Sequence, residues 1–166
     1  MIDKKAIASV QIFNGLNKRQ LDLIANHLQE KTISKGKSII LENTQGDSLY
    51  ILYSGNVKVT KKLTLEIENS DVEEKQLTTL KGSDLPSFGE NGLVGAGKRT
   101  ASVYALTDCV TYRLTQADFS KIINYDPLAA FGIMKNIAIT LAKRLESTDE
   151  DVVKLATALS IAVSMN

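Results

Sequence analysis

The segment with the clearest potential for chemistry is a glycine-rich stretch over residues 88–103. A short helix that begins near Glu90 would direct free N–H groups and the positive end of its dipole at an anion. Arg99 adds a planar guanidinium fork, which suits phosphate oxygens. The glycines that would let the backbone approach a ligand closely are Gly89, Gly92, Gly95 and Gly97. The stretch therefore predicts an anion-binding site.

A carboxylate in the same stretch narrows the class of ligand. Glu90 is unexpected beside a phosphate, because two anions repel each other. It fits if a hydroxyl donor, such as a ribose 2′-OH, lies between the carboxylate and the phosphate. An anion with a hydroxyl beside it indicates a nucleotide.

Residues 92–98 also match the first seven positions of a P-loop, the phosphate-binding loop of many nucleoside triphosphatases. The next residue is Arg99, where a P-loop needs Ser or Thr to hold Mg²⁺. Leu85-Pro86-Ser87, which comes before the match, is also unlike the buried strand that precedes a P-loop. A triphosphatase is therefore the weakest of the functional alternatives.

Residues 88–103 resemble the phosphate-binding cassette of the cyclic-nucleotide-binding domain family. The family pattern is Phe-Gly-Glu, eight residues, and then Arg-x-Ala-Thr/Ser-Val. The chain matches it without a gap, at Phe88-Gly89-Glu90 and Arg99-Thr100-Ala101-Ser102-Val103. A second family pattern is present at Gly36, Ile39 or Ile40, Gly46-Asp47, Tyr50 and Gly55. Asn43 stands where the family usually has glycine, and Asn tolerates a positive φ better than other non-glycine residues.

The resemblance implies a role for each matching residue of the cassette. Arg99 would pair with the cyclic phosphate, and Glu90 would accept a hydrogen bond from the ribose 2′-OH. Gly89 and Ala101 would donate backbone N–H groups to the ligand. Thr100 matches a position where Thr can bond a syn guanine, yet channels with that Thr also bind cAMP, so both nucleotides are compatible with it.

Further ligand contacts are expected besides those of Arg99, Glu90, Gly89, Ala101 and Thr100. Phe88, Asn91 and Leu80 are predicted to line the site. The C-terminal helix resembles the dimerisation helix of bacterial catabolite-activator-type regulators, which implies that Thr148 touches the base across a dimer. Thr140 and Arg144, one or two turns earlier, are the alternatives for that contact.

The periodicity of the chain predicts a mixed, mainly β fold, with about eight short strands between helices. Helices are expected over residues 2–10 and 17–28, the second with a capping box. Strands are expected over residues 38–41, 49–53, 57–67, 72–80, 101–105 and 109–114, with a turn at 69–71. Lys61 interrupts the apolar phase and predicts a bulge or an edge. A sandwich, barrel or jelly roll is compatible with this pattern, and the resemblance implies the β-roll.

The C-terminal part of the chain predicts one short and one long helix. Thr115 begins the short helix, and Asp126-Pro127 is an N-cap followed by Pro at the first helical position. Apolar residues then repeat in heptads over residues 131–162, which is typical of a coiled-coil seam. The seam positions are Phe131, Met134, Ala138, Leu141, Leu145, Thr148, Val152, Leu155, Leu159 and Ala162.

Two alternatives to this coiled coil stay open. Residues 147–150 could cap a separate helix, although the unbroken heptads favour one helix. The helix could also pack on its own domain. The division that we predict is a helical start plus β-roll over residues 1–126 and a dimerisation helix over residues 127–166.

Composition excludes several classes of site and partner. The chain of 166 residues has 20 Lys and Arg against 19 Asp and Glu, which argues against a nucleic-acid binder. One cysteine, Cys109, and one histidine, His27, rule out an internal disulfide, a Cys-rich zinc site and any site that needs two histidines. We find no signal peptide or apolar span of about 20 residues, so a cytoplasmic protein without a membrane partner is expected.

These observations favour a non-enzymatic sensor that binds cAMP, cGMP or both, and that acts through a protein effector that the sequence does not identify. No cofactor or metal is expected, and the chain leaves no room for a winged helix-turn-helix after its long helix. The alternative is a dimeric interaction module of the same fold that binds no nucleotide.

Overall fold

The computed structural model describes residues 2–62, 74–95 and 97–164. The helices are α1 (Lys4–Ala8), α2 (Lys18–His27), α3 (Asn91–Val94), α4 (Gln116–Tyr125) and α5 (Pro127–Ser164), with 3-10 turns at Gln11–Phe13 and Gly82–Asp84. The strands are β1 (Gln29–Ile33), β2 (Ser38–Ile40), β3 (Ser48–Ser54), β4 (Asn56–Lys62), β5 (Glu74–Lys81), β6 (Ser87–Phe88), β7 (Ser102–Ala105) and β8 (Cys109–Thr115).

The described strands form two four-stranded sheets, in the orders β1-β8-β3-β6 and β2-β7-β4-β5. Every strand pair in these sheets is antiparallel. Helices lie at both ends of the chain. The predicted fold class, a mainly β roll flanked by helices, is confirmed.

Two apolar clusters hold these elements together. The larger one joins the N-terminal helices, α4 and the start of α5 to the first sheet, and includes Phe13, Leu114 and Ile133. The smaller one, with Leu52 and Val103, lies inside the roll. Burial of apolar area at these positions is the main stabilising contribution to the fold. Among the described residues, no helix has the length and apolar character needed to cross a bilayer.

The predicted helix starts agree with the structure in three places. Asn17 and Gln20 form the expected capping box of α2. The Thr115 hydroxyl accepts from the Asp118 N–H, and the Asp126 carboxylate accepts from the Ala129 N–H. The helix predicted over residues 2–10 is shorter, because Asp3 caps α1 at Lys4 and the chain leaves the helix after Ala8.

The predicted strand over residues 57–67 is described only as far as Lys62. Leu63, Leu65, Ile67, the turn at 69–71 and Val72 lie outside the described residues. The irregularity expected at Lys61 has two parts. Pairing of β4 with β5 shifts between Val59 and Thr60, and pairing of β4 with β7 ends at Thr60, so Lys61 lies at a local edge.

Helix α5 is continuous over 38 residues and therefore about 57 Å long. It does not break at residues 147–150, so the preference for one long helix agrees with the structure. Its buried residues, Ala129, Ala130, Ile133 and Ile137, all come from its first three turns. Every residue from 141 to 164 is exposed. The first part of α5 thus packs on its own domain, and the rest projects from it.

Replacing Ile137 with Ala tests this anchoring. Ile137 is 1% exposed, so the smaller side chain leaves a cavity and should lower the free energy of unfolding by about 2–5 kcal/mol. Ile139, which is 43% exposed on the same helix, is the matched control and should lose about 1 kcal/mol or less as Ile139→Ala. Urea denaturation at one protein concentration measures both, and equal losses would contradict the assigned packing of α5.

Candidate functional site

A cavity of about 380 Å³ lies between the β-roll and helix α5. It brings together eight of the nine residues predicted for the site, namely Leu80, Phe88, Gly89, Glu90, Asn91, Arg99, Thr100 and Ala101. A concave volume of this size matches the range of small-molecule sites, roughly 300–1,000 Å³.

The guanidinium of Arg99 is the most deeply buried cation of the cavity, with the residue 7% exposed. Its Nη1 donates to the Gly89 carbonyl at 2.9 Å, and its Nη2 donates to the Ser48 carbonyl at 2.8 Å. Burial lowers the pKa of Arg99, although arginine stays charged near neutral pH. Among the described residues, no carboxylate lies within ion-pair distance of it. A buried charge with only neutral partners is costly, and an anion in the cavity would offset that cost.

Three glycines make room for this side chain. A Cβ on Gly46 would overlap Nε of Arg99, and a Cβ on Gly89 or Gly92 would lie 2.8 or 2.7 Å from its Nη1. Gly89 also has φ +78°, which favours glycine. The sequence predicted that glycines bring the backbone close to the ligand. In the structure these positions accommodate the arginine, while a Cβ on Gly95 would meet nothing within 4 Å.

A second arginine fixes the strand that supports Arg99. Nε of Arg113 donates to the Ser48 hydroxyl at 2.7 Å, and its Nη2 donates to the Asp47 carboxylate at 3.0 Å. The Ser48 hydroxyl donates to the same Asp47 oxygen at 2.6 Å. The hydrogen bond from Ser48 contributes most, and the contact with Arg113 adds to it, so the pKa of the Asp47 carboxyl lies below its usual range. Ser48 is thereby held where its carbonyl meets Arg99.

Glu90 lies at the start of α3, where a short helix was predicted, and is 4% exposed. Its Oε1 accepts from the Ser87 hydroxyl at 3.1 Å, and its Oε2 accepts from Nη1 of Arg144 at 3.2 Å. Nη2 of Arg144 also donates to the Ser87 carbonyl at 3.0 Å. Arg144 belongs to α5, so these bonds join the projecting helix to the cassette.

Apolar side chains form the remaining wall of the cavity. Phe88 stacks on Tyr50 with ring centroids 5.7 Å apart, and Leu141 of α5 contributes an aliphatic side chain. Leu77 and Thr78 are neighbours in β5, yet both line the cavity, because the pairing with β4 skips Leu77. The other apolar lining residues are Ile40, Val59, Leu80 and Val103. An apolar wall beside two cations and a carboxylate suits a nucleotide.

The three candidates for a base contact on α5 are placed differently. Thr148 is exposed and does not line the cavity of its own chain. Its hydroxyl donates to the Arg144 carbonyl at 2.9 Å. Thr140 likewise donates to the Asn136 carbonyl at 2.9 Å. Arg144 lines the cavity. The role of Thr148 across a dimer stays a prediction.

Some lining residues were missed from the sequence. Leu141 was assigned only to the seam, although its spacing of three from Arg144 places both on one face of the helix. The bulge that brings in Leu77 depends on pairing with another strand and has no local signal. The P-loop alternative loses support, because Gly92, Leu93 and Val94 form a helical turn instead of a loop.

A model of the family described as "Cyclic nucleotide-binding domain" matches residues 30–126, which include the cassette and, apart from Gln29, the strands of both sheets. The chain belongs to this family. The family's domain is a regulatory nucleotide-binding unit, and the kinases that contain it carry separate catalytic domains.

Similar proteins include a protein kinase and a receptor protein. The chain is 36% identical over 120 residues to cGMP-dependent protein kinase, isozyme 1, of Drosophila melanogaster, covering 70% of this chain and 15% of the kinase. It is 30% identical over 138 residues to the Cyclic AMP receptor protein of Thermus thermophilus, covering 83% of this chain and 58% of that protein. The chain thus spans less than two thirds of either relative.

Solved structures give the same fold. The Catabolite Activator Protein of Thermus thermophilus superimposes with a TM-score of 0.74 at 27% sequence identity. The match covers 88% of this chain and 63% of that one. A match over 88% of the chain is longer than residues 1–126 together. The structural similarity therefore continues past residue 126, where the family match ends, into part of helix α5.

Gly46→Ala tests the space around the arginine. The added methyl group overlaps Nε of Arg99, so the variant should lose about 1–3 kcal/mol of unfolding free energy through overpacking. Gly95→Ala is the control, since its methyl group meets nothing within 4 Å, and should change stability by about 0.5 kcal/mol or less. Chemical denaturation compares the two, and a Gly46→Ala variant as stable as Gly95→Ala would refute the packing.

Proposed function

We propose that the protein is a non-enzymatic sensor of a cyclic nucleotide, cAMP, cGMP or both. The observation that carries the proposal is the buried guanidinium of Arg99, which faces the cavity with two neutral carbonyl partners. The relatives support it, since one is a cGMP-dependent kinase and another a cyclic AMP receptor protein.

The arrangement supports a specific division of roles among the cassette residues. The cyclic phosphate would take the remaining N–H groups of Arg99 in a charge-assisted contact. The ribose 2′-OH would donate to Glu90, whose carboxylate is held by Ser87 and Arg144. Backbone N–H groups of Gly89 and Ala101 would add further donors to the phosphate or ribose.

The base would lie against the apolar wall, in contact with Leu80 and Phe88. Thr100 and Asn91 are polar lining residues, and Thr100 is compatible with adenine and with a syn guanine. Arg144 of the same chain and Thr148 of a second copy are the candidates that would close the site over the base.

The exposed part of α5 supports a homodimer through residues 131–162. Five large seam side chains are 57–67% exposed in the single chain, namely Phe131, Leu145, Val152, Leu155 and Leu159. A second copy that covers them would contribute about 1.5–3 kcal/mol for each side chain that becomes fully buried. Residues 127–166 would then be the dimerisation unit, and residues 1–126 the sensing unit.

Output would pass to a protein effector in the cytoplasm, with no nucleic acid or membrane as partner. The competing function, a dimeric module that binds no nucleotide, rests on the same exposed seam. The two are separated by titration with cAMP and cGMP, which only the sensor binds.

Arg99→Ala should weaken binding of cAMP by at least about tenfold, because it deletes a charge-assisted contact of roughly 1.5–3 kcal/mol. Arg99→Lys should not restore affinity, since a point charge lacks the two-donor fork. Isothermal titration calorimetry measures both variants after their folding has been checked by circular dichroism.

Arg19→Ala is the control for this series, because Arg19 is exposed on α2 and its loss changes the net charge by the same amount. Its affinity should equal that of the wild type. An Arg99→Ala protein that is folded and binds as tightly as Arg19→Ala would remove the proposed role of Arg99.

Leu155→Glu combined with Leu159→Glu should give a monomer, because the change places charges at two seam positions that a partner helix would bury. The control is Val153→Glu with Ile161→Glu, two apolar positions that are also more than half exposed but lie off the seam. Sedimentation equilibrium distinguishes the two forms. A wild-type monomer at tens of micromolar would contradict the dimer.

A further inference from the structure

Arg144 lies where the cassette and the coiled-coil seam meet. One edge of its side chain contacts Glu90 and the Ser87 carbonyl, at 3.2 and 3.0 Å. Its side chain is nevertheless 49% exposed, while that of Glu90 is 5% exposed. Part of the guanidinium therefore stays available to a group outside its own chain, and a planar guanidinium has five N–H donors to share.

In a parallel dimer, the heptad register predicts which group that is. With Phe131, Leu145 and Val152 at a and Leu141 at d, Arg144 occupies a g position. In a parallel, in-register pair of helices, a g residue faces the e residue that lies five positions later on the partner. That residue is Asp149, and its charge is opposite to that of Arg144.

We infer that Asp149 of the partner subunit pairs with Arg144 and so completes the polar side of each nucleotide cavity. This inference rests on the proposed dimer and deepens the proposed function. Two equivalent pairs form in the dimer by symmetry. Each would link the cassette of one protomer, through Glu90 and Arg144, to the helix of the other.

The neighbouring acidic residues do not fit this role. Glu150 and Asp151 lie 3.9 and 3.3 Å from the Lys154 ammonium of their own helix. Glu150 also occupies an f position, which points away from the seam. In the described part of the chain Asp149 has no ion-pair partner, although it is exposed beside the seam.

The pair has a consequence for regulation. A ribose hydroxyl that donates to Glu90 would hold that carboxylate in place, and with it the Arg144 side chain that contacts it, so that the remaining N–H groups of Arg144 are already ordered for the partner's Asp149. Nucleotide binding should then strengthen the dimer. By linkage, dimerisation should raise nucleotide affinity by the same factor.

Asp149→Asn and Glu150→Gln test this inference as matched variants of the full chain, since each removes one negative charge from the same turn. Asp149→Asn should weaken the dimer about 2- to 30-fold at low salt, because two exposed ion pairs are lost. It should also reduce the strengthening of the dimer by cAMP. Glu150→Gln should leave both quantities within about twofold. Sedimentation equilibrium with and without cAMP measures the two variants.

A charge exchange provides the second test. Arg144→Asp alone should weaken the dimer, and Arg144→Asp with Asp149→Arg should restore it, because the pair is re-formed with reversed charges. Both variants lose the contact with Glu90, so they are compared with each other and without nucleotide, in sedimentation equilibrium. A double variant that dimerises no better than Arg144→Asp would contradict the pair. Mixed with the wild type, the exchanged protein should form few heterodimers, since like charges then face each other.

The outcomes separate the inference from the proposed function. Failure of the wild type to bind cAMP or cGMP would overturn the proposed sensor, and a wild-type monomer would overturn the dimer and the pair together. If the wild type is dimeric and binds nucleotide, but Asp149→Asn behaves as Glu150→Gln does, only the pair is overturned.

Discussion

The organisation of this protein depends on one buried charge, the guanidinium of Arg99. Two backbone carbonyls, of Gly89 and Ser48, accept from it, and neither is charged. Desolvation of a cation costs free energy unless an opposite charge is close. An anion bound beside Arg99 would therefore lower the free energy of the folded protein. A site built in this way couples ligand binding to the stability of its own architecture, because the ligand supplies the missing charge.

Much of the surrounding structure serves to hold that cation in place. Gly46 and Gly92 leave space that a single methyl group would fill, and Ser48 is fixed by Asp47 and Arg113. These residues come from separate parts of the chain, namely the turn before β3, the start of β3, α3 and β8. Pairing of β3 with β8 in the first sheet brings Arg113 within hydrogen-bonding distance of Ser48, and Gly46 and Gly92 lie against the same Arg99 side chain. The β-roll therefore positions this one side chain through contacts from several elements.

Helix α5 is buried in the domain core at its start and exposed along the rest of its length. Its first turns belong to the domain core, through Ala130, Ile133 and Ile137. Its later turns are exposed and carry the apolar heptad pattern. Arg144 lies between these parts and contacts Glu90 across the cavity. A helix anchored at one end and joined to the ligand site in the middle can transmit a change in the cassette to its free end, provided that the ligand binds two helix arrangements with different affinity.

Local sequence determined the features that depend on neighbouring residues. The caps at Asn17, Thr115 and Asp126 and the continuous heptads of α5 were predicted, because caps and periodicity act within a few residues. The residues from Phe88 to Val103 by themselves indicated an anion-binding loop, and their match to a family pattern added the nucleotide. Only the tertiary structure showed that Gly46 accommodates Arg99, that Leu77 enters the cavity through a bulge, and that Arg144 reaches Glu90. Those contacts join residues separated by up to 54 positions, so their geometry depends on sheet pairing and helix packing and on no local pattern.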